Sequence, residues 1–174
     1  MVLHFQAGKR QSDRRDRKTT MPTRAVNQLT RQGVAFEIVR YEHEEKGAEY
    51  AARATGFPLE RTIKTLVADL GSQRYVLALV PGNHLLDLKL LANVCAVKRA
   101  AMADTDTAER LTGYSVGGIS PFGVRQRIPA ILEQSVIEQD QILINAGRRG
   151  LMLKMRPADI VRALPCRLAE ISST

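Results

Sequence analysis

Apolar residues recur along this chain with two periods, one typical of helices and one typical of strands. Ala25, Val26 and Leu29 have helical spacing, and Gly33 follows at the position where a helix is expected to end. Two β-rich runs flank Gly71-Ser72, which predicts a hairpin. By the same criteria we predict helices over 23–33, 48–56, 84–97, 104–113 and 156–165, a strand over 34–41, this hairpin within 57–83 and a second β pair over 141–155.

The mixture of hairpins and helices predicts the class of fold. After Met21 the chain has no internal repeat and no linker-like segment. We therefore predict one α+β domain over 21–174, in which helices flank a mixed sheet.

The charge is unevenly distributed along the chain. The 174 residues include 44% hydrophobic and 25% charged residues, which is ordinary for a globular domain, and the net charge is +8. Residues 1–20 hold six basic and two acidic side chains and lack periodic apolar residues. We predict that 1–20 is a disordered, solvated arm. The alternative is a start assigned too far upstream of Met21.

Several classes of protein and site are disfavoured by what the sequence lacks. It has no apolar run long enough to span a membrane and no signal-peptide pattern, so we expect a soluble, cytoplasmic protein without a membrane partner. Cys95 and Cys166 are far apart, and the histidines lack metal-ligand spacing. No P-loop or dinucleotide-binding motif is present. We expect no metal and no cofactor.

Lys64 is the most informative single charge. Alternation along 62–70 places it on the same strand face as Leu66 and Ala68, which is the more apolar face. Its amine either extends to solvent from a strand end or meets an anionic or carbonyl group in a pocket.

The segment 114–123, "YSVGGISPFG", contains three glycines. Such a segment forms a tight connection or brings its N–H groups close to a ligand. Ser120 lies in a near match to the nucleophile elbow, but the second glycine is one place too far along and Pro121 has no N–H to donate. We therefore do not assign Ser120 as a nucleophile.

Basic residues gather after this segment. They either hold a polyanion or form a solvated basic face, and the chain has few aromatic residues for stacking bases. The residues are Arg125, Arg127, Arg148, Arg149, Lys154 and Arg156.

Four motifs occur together: "RYEHE" at 40–44, "IKTLV" at 63–67, "GYSVGGISPFG" at 113–123 and "NAGRRGL" at 145–151. In this combination the chain resembles the YbaK/EbsC family of aminoacyl-tRNA deacylases, and its YbaK branch in particular, over about residues 22–172. This family is related to the editing domain of bacterial prolyl-tRNA synthetases. The resemblance implies a mixed, barrel-like sheet and hydrolysis of the ester bond of mischarged tRNA, with Cys-tRNA(Pro) as the substrate. The implied partners are aminoacyl-tRNA, especially tRNA(Pro), and prolyl-tRNA synthetase.

The resemblance also implies a set of site residues. Lys64 would orient the aminoacyl ester and the terminal adenosine. The N–H groups of Gly117 and Gly118 would hold the ester carbonyl or its oxyanion. With cysteine the substrate's own thiol would attack the ester, whereas with alanine a positioned water would do so, and neither route needs a cofactor. The implied substrate-binding residues are Tyr41, Thr65, Ile119, Ser120, Asn145, Gly147, Arg148, Arg149 and Gly150.

The chain departs from the family pattern in the region that would bind the amino acid. Residues 44–47 lack a pocket aromatic, Asn145-Ala146 replaces a Ser-Gly pair, and Met152 replaces an acidic residue. These differences leave the choice of amino acid open between cysteine and another residue such as alanine. Two different functions also stay open, that of a non-catalytic regulatory or tRNA-binding member of the family and that of a general nucleic-acid-binding protein.

Overall fold

The computed structural model describes residues 21–174, and the predicted arm over 1–20 lies outside the described residues. Within 21–174 the α-helices are α1 (Arg24–Arg31), α2 (Ala48–Thr55), α3 (Leu88–Val94), α4 (Thr105–Thr112) and α5 (Pro157–Ala163). The strands are β1 (Glu37–Arg40), β2 (Thr62–Asp69), β3 (Tyr75–Pro81), β4 (Leu85–Leu86), β5 (Ala101–Met102), β6 (Ala130–Glu133), β7 (Ile142–Arg148), β8 (Leu151–Met155), β9 (Cys166–Ala169) and β10 (Ser172–Ser173). Short 3₁₀-helices occupy Leu59–Arg61 and Gln134–Glu138.

Eight of these strands form one mixed sheet, in the order β1-β8-β7-β2-β3-β6-β9, with β5 pairing the edge of β2 that β7 leaves open. The pairs β2–β3, β7–β8, β1–β8 and β2–β5 are antiparallel, whereas β2–β7, β3–β6 and β6–β9 are parallel. The predicted α+β domain with a mixed sheet is confirmed. The expected barrel-like closure is absent, because the two edge strands of this sheet, β1 and β9, do not pair with each other within residues 21–174.

Most predicted helices and both predicted β pairs form for the reasons that their patterns indicate. The helix predicted over 84–97 is shorter than expected, because it spans only Leu88–Val94 and is preceded by the strand β4. The Thr23 hydroxyl caps α1 by accepting a hydrogen bond from the Val26 N–H at 3.2 Å. At the tip of the β2–β3 hairpin, the Asp69 carboxylate accepts from the Gly71 N–H at 2.8 Å. The helix α5 has proline in its first turn, as the sequence predicted.

The sequence did not predict β6 and β9. The strand β6 is four residues long and is buried throughout, and it pairs in parallel with both β3 and β9. Four residues give little alternation to recognise, and a strand that is buried throughout, such as β6, has none.

The strand β2 has a gap along one edge, and this gap positions the site. It pairs with β7 only at Thr62 and Ile63, and with β5 only at Ala68 and Asp69. Between these pairs, over 64–67, the Val67 carbonyl accepts a hydrogen bond from the Ala103 N–H at 3.0 Å. The centre of β2 is therefore free of a neighbouring strand on this side.

The helices of residues 21–174 include no candidate for a membrane-spanning segment.

Candidate active site

A cavity of about 340 Å³ lies at the gap in β2. Its wall is formed by β2, β7 and β8, by α2 and α4, and by the segment 114–123, which we call the glycine loop. Six of the predicted site residues line this cavity, namely Tyr41, Lys64, Thr65, Gly117, Ile119 and Asn145. The other six, Gly118, Ser120, Gly147, Arg148, Arg149 and Gly150, are not part of its lining.

Lys64 is half-buried in the cavity wall, at the point where β7 stops pairing with β2. Leu66 and Ala68 share its strand face, as alternation predicted, and pack in a hydrophobic cluster with Val76, Ala78 and Val80. The Lys64 Nζ donates a hydrogen bond to the backbone carbonyl of His84. Burial lowers the pKa of the Lys64 amine, and the carboxylate of Glu49 partly opposes that shift. The amine is therefore held by a backbone carbonyl and is partly removed from solvent.

The glycine loop makes a tight turn in which Gly117 has a φ of +94°. The Gly118 N–H closes the turn by donating to the Ser115 carbonyl at 2.9 Å. On the other side of the turn, the Val116 N–H donates to the Glu109 carboxylate at 2.9 Å. The turn is thus fixed at both ends, and the Gly118 N–H is committed within it.

Two side chains from the β7–β8 hairpin hold the carbonyl groups of the same turn. Arg149 donates to the Val116 carbonyl through Nη2 at 2.7 Å and through Nε at 3.3 Å. The Asn145 Nδ2 donates to the Gly117 carbonyl at 3.0 Å. Arg149, which the resemblance placed in substrate binding, is therefore engaged with the loop.

Two cavity-lining residues of the glycine loop have an N–H without a hydrogen bond among the described residues, namely Ile119 and, within the turn itself, Gly117. The second of these, the Gly117 N–H, belongs to the peptide that Arg149 and Asn145 flank. No hydrogen bond joins it to another group within residues 21–174. Because the peptide is trans, this N–H points to the side opposite the Val116 carbonyl, and therefore away from Arg149. Gly117 lines the cavity, so its N–H is a candidate donor to a ligand there.

Ser120 is fully buried, and its hydroxyl accepts a hydrogen bond from the Phe122 N–H at 3.3 Å. The loop is also held by Tyr114, whose hydroxyl donates to the Phe122 carbonyl at 2.6 Å. The serine thus packs behind the loop and not against the cavity.

Gly147 and Gly150, where β7 connects to β8, allow neighbouring segments to pack closely. The Gly150 carbonyl accepts a hydrogen bond from the Tyr41 N–H at 3.0 Å. A side chain at Gly150 would also meet the Tyr41 carbonyl at 2.7 Å, and one at Gly147 would meet the Tyr114 ring. Arg148 donates to the Met21 carbonyl at 2.8 Å. This turn therefore supports the cavity from outside.

Two buried oxygens beside the cavity lack hydrogen-bond partners within the described residues, the Thr65 Oγ1 and the Asn145 Oδ1. Buried polar atoms are normally paired, so this is an unusual feature of the wall. Burial also raises the pKa of Tyr41, which keeps its phenol neutral and able to donate a hydrogen bond. The polar groups of the wall are thus few and specifically placed.

The part of the lining that the structure describes contains no carboxylate, imidazole or thiol. Among the described residues, no histidine, cysteine, aspartate or glutamate lines the cavity. No group of three or more such side chains elsewhere in 21–174 could hold a metal ion. Of the predicted basic cluster, Lys154 pairs with Glu37 at 3.8 Å and Arg156 with Asp159 at 3.2 Å.

Comparison with known proteins identifies the family. The family model described as "Aminoacyl-tRNA editing domain" matches residues 42–163. The chain belongs to this family. The resemblance drawn from the motifs is confirmed, and so, at the level of the family, is the predicted class of enzyme, a hydrolase of the aminoacyl ester bond.

Two relatives match over nearly the whole chain. The EbsC protein of Enterococcus faecalis, a candidate Cys-tRNA(Pro)/Cys-tRNA(Cys) deacylase, is 31% identical over 159 residues, which cover 90% of this chain and 97% of that protein. The multifunctional Ser/Thr-tRNA deacylase ProXp-y of Escherichia coli is 27% identical over 155 residues, which cover 87% of this chain and 92% of that protein. The crystal structure of a candidate trans-editing enzyme for prolyl-tRNA synthetase has a TM-score of 0.79 at 22% identity, over 87% of this chain and 96% of that one. This likeness confirms the fold.

Among the residues of the site that the sequence did not predict, three hold or line it in a specific way. His84 holds Lys64, Glu109 holds the glycine loop, and Met102 lines the cavity from β5. None of the three lies in a motif, and each reaches the site through tertiary contacts.

Proposed function

We propose that this protein is a trans-editing deacylase that hydrolyses the ester bond of mischarged tRNA, with Cys-tRNA(Pro) as its principal substrate. The observation that carries this proposal is the uncommitted Gly117 N–H beside a cavity that Lys64 also lines. The name of the EbsC relative supports cysteine as the amino acid.

In the proposed mechanism, the Gly117 N–H donates to the ester carbonyl oxygen as negative charge develops on it. Glu109, Arg149 and Asn145 already hold the adjoining peptide groups, so this donor needs no reorganisation during the reaction. The sequence assigned the same role to the Gly118 N–H. We now give it to Gly117 alone, because the Gly118 N–H donates to Ser115.

Lys64 supplies positive charge in the wall of the same cavity. Its ammonium is held by the His84 carbonyl, and in this position it would orient the ester and the terminal adenosine. Because the amine is half-buried, its interaction with a negative group is screened less than it would be on the surface.

The absence of a carboxylate or imidazole base from the described lining favours a substrate that brings its own nucleophile. A cysteine thiol has a pKa of roughly 8.5, so part of it is thiolate near neutral pH. The thiolate sulfur attacks the ester carbonyl carbon, the C–S bond forms and the ester C–O bond breaks. The leaving ribose oxygen takes up the proton that the thiol lost, and water then hydrolyses the released thiolactone to cysteine. With alanine, a water would have to attack without help from such a base.

The apolar part of the lining fits a small thiol side chain. Ala51, Val67, Met102 and Met152 contribute to it, and a thiol behaves as a small, weakly polar group. Met152 in place of the family's acidic residue makes this wall less polar. The proposed partners are aminoacyl-tRNA, tRNA(Pro) in particular, and prolyl-tRNA synthetase.

A deacylation panel tests the proposal. The substrates are tRNA(Pro) charged with cysteine, alanine, serine or proline, each assayed with and without prolyl-tRNA synthetase. We expect cysteinyl-tRNA(Pro) to be hydrolysed fastest and prolyl-tRNA(Pro) to be spared. Lys64→Ala serves as the inactive control. If the alanyl or seryl ester is hydrolysed faster than the cysteinyl ester, cysteine is not the principal amino acid that the protein removes. If no ester is hydrolysed, the protein is a non-catalytic member of the family.

A further inference from the structure

A polar network ends at Lys64, which it reaches through the backbone carbonyl of His84. The network begins at Glu133, which is 4% exposed and lies at the end of β6. The Glu133 Oε2 accepts hydrogen bonds from the Ile171 N–H and from the Ser172 hydroxyl, both at 2.8 Å. A buried carboxylate is costly to desolvate unless it is well bonded, so these two contacts anchor the segment at 171–172 firmly.

The network continues from Ser172 to His84. The Ser172 Oγ lies 2.9 Å from the His84 Nδ1. Because the single hydroxyl proton of Ser172 goes to the Glu133 carboxylate, the Ser172 Oγ accepts from His84, and the His84 Nδ1 carries a proton. This contact holds the imidazole in one orientation.

The backbone of His84 carries the network on to Lys64. The His84 N–H donates to the Pro81 carbonyl at 3.0 Å, which closes a tight turn after β3, and the His84 carbonyl accepts from the Lys64 Nζ. The next residues, β4, pair with β10, with Leu86 opposite Ser172. The imidazole contact, the tight turn and the β4–β10 pairing thus all hold the residue whose carbonyl accepts from Lys64.

We propose that Glu133, Ser172 and His84 form a positioning relay that holds the Lys64 amine in the wall of the cavity. They are positioning residues, because none of them lines the cavity and each acts through Lys64. The consequence for catalysis rests on the proposed deacylase function, whereas the placement of the Lys64 amine does not.

Ser172→Ala tests the relay, with Ser173→Ala as the matched control. Ser173 is the exposed neighbour on the same strand, so its replacement changes β10 in the same way and leaves the relay intact. The readout is the pKa of Lys64, followed through its ¹³Cε chemical shift. Because burial lowers this pKa, release of the amine to water should raise it towards the ordinary value in Ser172→Ala and leave it unchanged in Ser173→Ala.

A second pair of variants covers the case in which Ser172→Ala fails to fold. His84→Ala removes a half-buried imidazole, and Asn83→Ala, its exposed neighbour, is the control. We expect His84→Ala to raise the Lys64 pKa in the same way. It should also lower kcat for the best ester of the panel by about tenfold, which corresponds to one hydrogen bond of ordinary net strength.

The outcomes separate the relay from the proposed function. If the Lys64 titration is unchanged in the folded Ser172→Ala and His84→Ala variants, the network stabilises the fold but does not position Lys64, and the proposal is overturned. If the titration moves as expected but the wild-type protein hydrolyses none of the panel esters, the relay stands and the proposed function falls.

Discussion

Replacement of Gly117 by alanine is the most direct perturbation of the proposed oxyanion donor. Gly117 has a φ of +94°, and a Cβ there would lie 2.8 Å from the Arg149 Nε. A side chain therefore strains the turn and pushes Arg149 away from the Val116 carbonyl. Both effects turn the Gly117 N–H away from its fixed direction.

The expected losses in rate and stability differ greatly in size. Removal of one oxyanion donor typically lowers kcat by roughly 100- to 1,000-fold. The left-handed backbone costs an alanine about 1–2 kcal/mol, which a domain with a stability of roughly 5–15 kcal/mol tolerates. We therefore expect a folded protein with almost no activity.

The assay is single-turnover hydrolysis of cysteinyl-tRNA(Pro) with enzyme in excess, together with thermal unfolding. Gly33→Ala is the matched control, because Gly33 has a φ of +66° and a Cβ there would meet no atom within 4 Å. It imposes similar backbone strain at the end of α1, away from the cavity. We expect Gly33→Ala to lose similar stability and to retain the wild-type rate.

Two results would refute this reasoning. One is a folded Gly117→Ala protein with the wild-type rate, which would show that its N–H does not stabilise the oxyanion. The other is an equal loss of rate in Gly33→Ala, which would assign the effect to general backbone strain.

Four further predictions follow from the site and the charge distribution. Lys64→Ala should reduce deacylation by about 100-fold or more without lowering the melting temperature, since it removes a half-buried charge that orients the ester; melting curves and single-turnover rates test this. Ser120→Ala should cost roughly 1 kcal/mol of stability through the lost Phe122 contact and retain appreciable activity, and trapping of an aminoacyl-Ser120 ester would contradict this. Deletion of 1–20 should weaken tRNA binding mainly at low salt and spare single-turnover hydrolysis, because phosphate contacts are screened by salt; a folded but inactive truncated protein would place part of the site in that segment. Burial raises the pKa of Cys166 to about 11, so its thiol stays protonated below that pH and should be alkylated slowly at pH 8, as quantified by mass spectrometry.

The sequence correctly predicted those elements that local patterns specify. The period of Ala25, Val26 and Leu29 is recognisable without knowledge of the partner that they pack against. The hairpin around Gly71 is equally local, since its turn is stabilised by Asp69 two residues away. The strands β6 and β9 were missed, because they are short and depend on distant neighbours for their pairing.

Motif residues alone determined the family and the candidate set around Lys64 and Gly117. Only the tertiary structure decided which groups are available for chemistry. The Gly118 N–H is used within its own turn, while Arg149 and Asn145 arrive from another hairpin to hold the carbonyls beside Gly117. His84 reaches Lys64 from the turn that follows β3. A hydrogen-bond donor is free or committed according to its neighbours in space, and these neighbours are set by the pairing of β2, β7 and β8, which no local pattern in the sequence records.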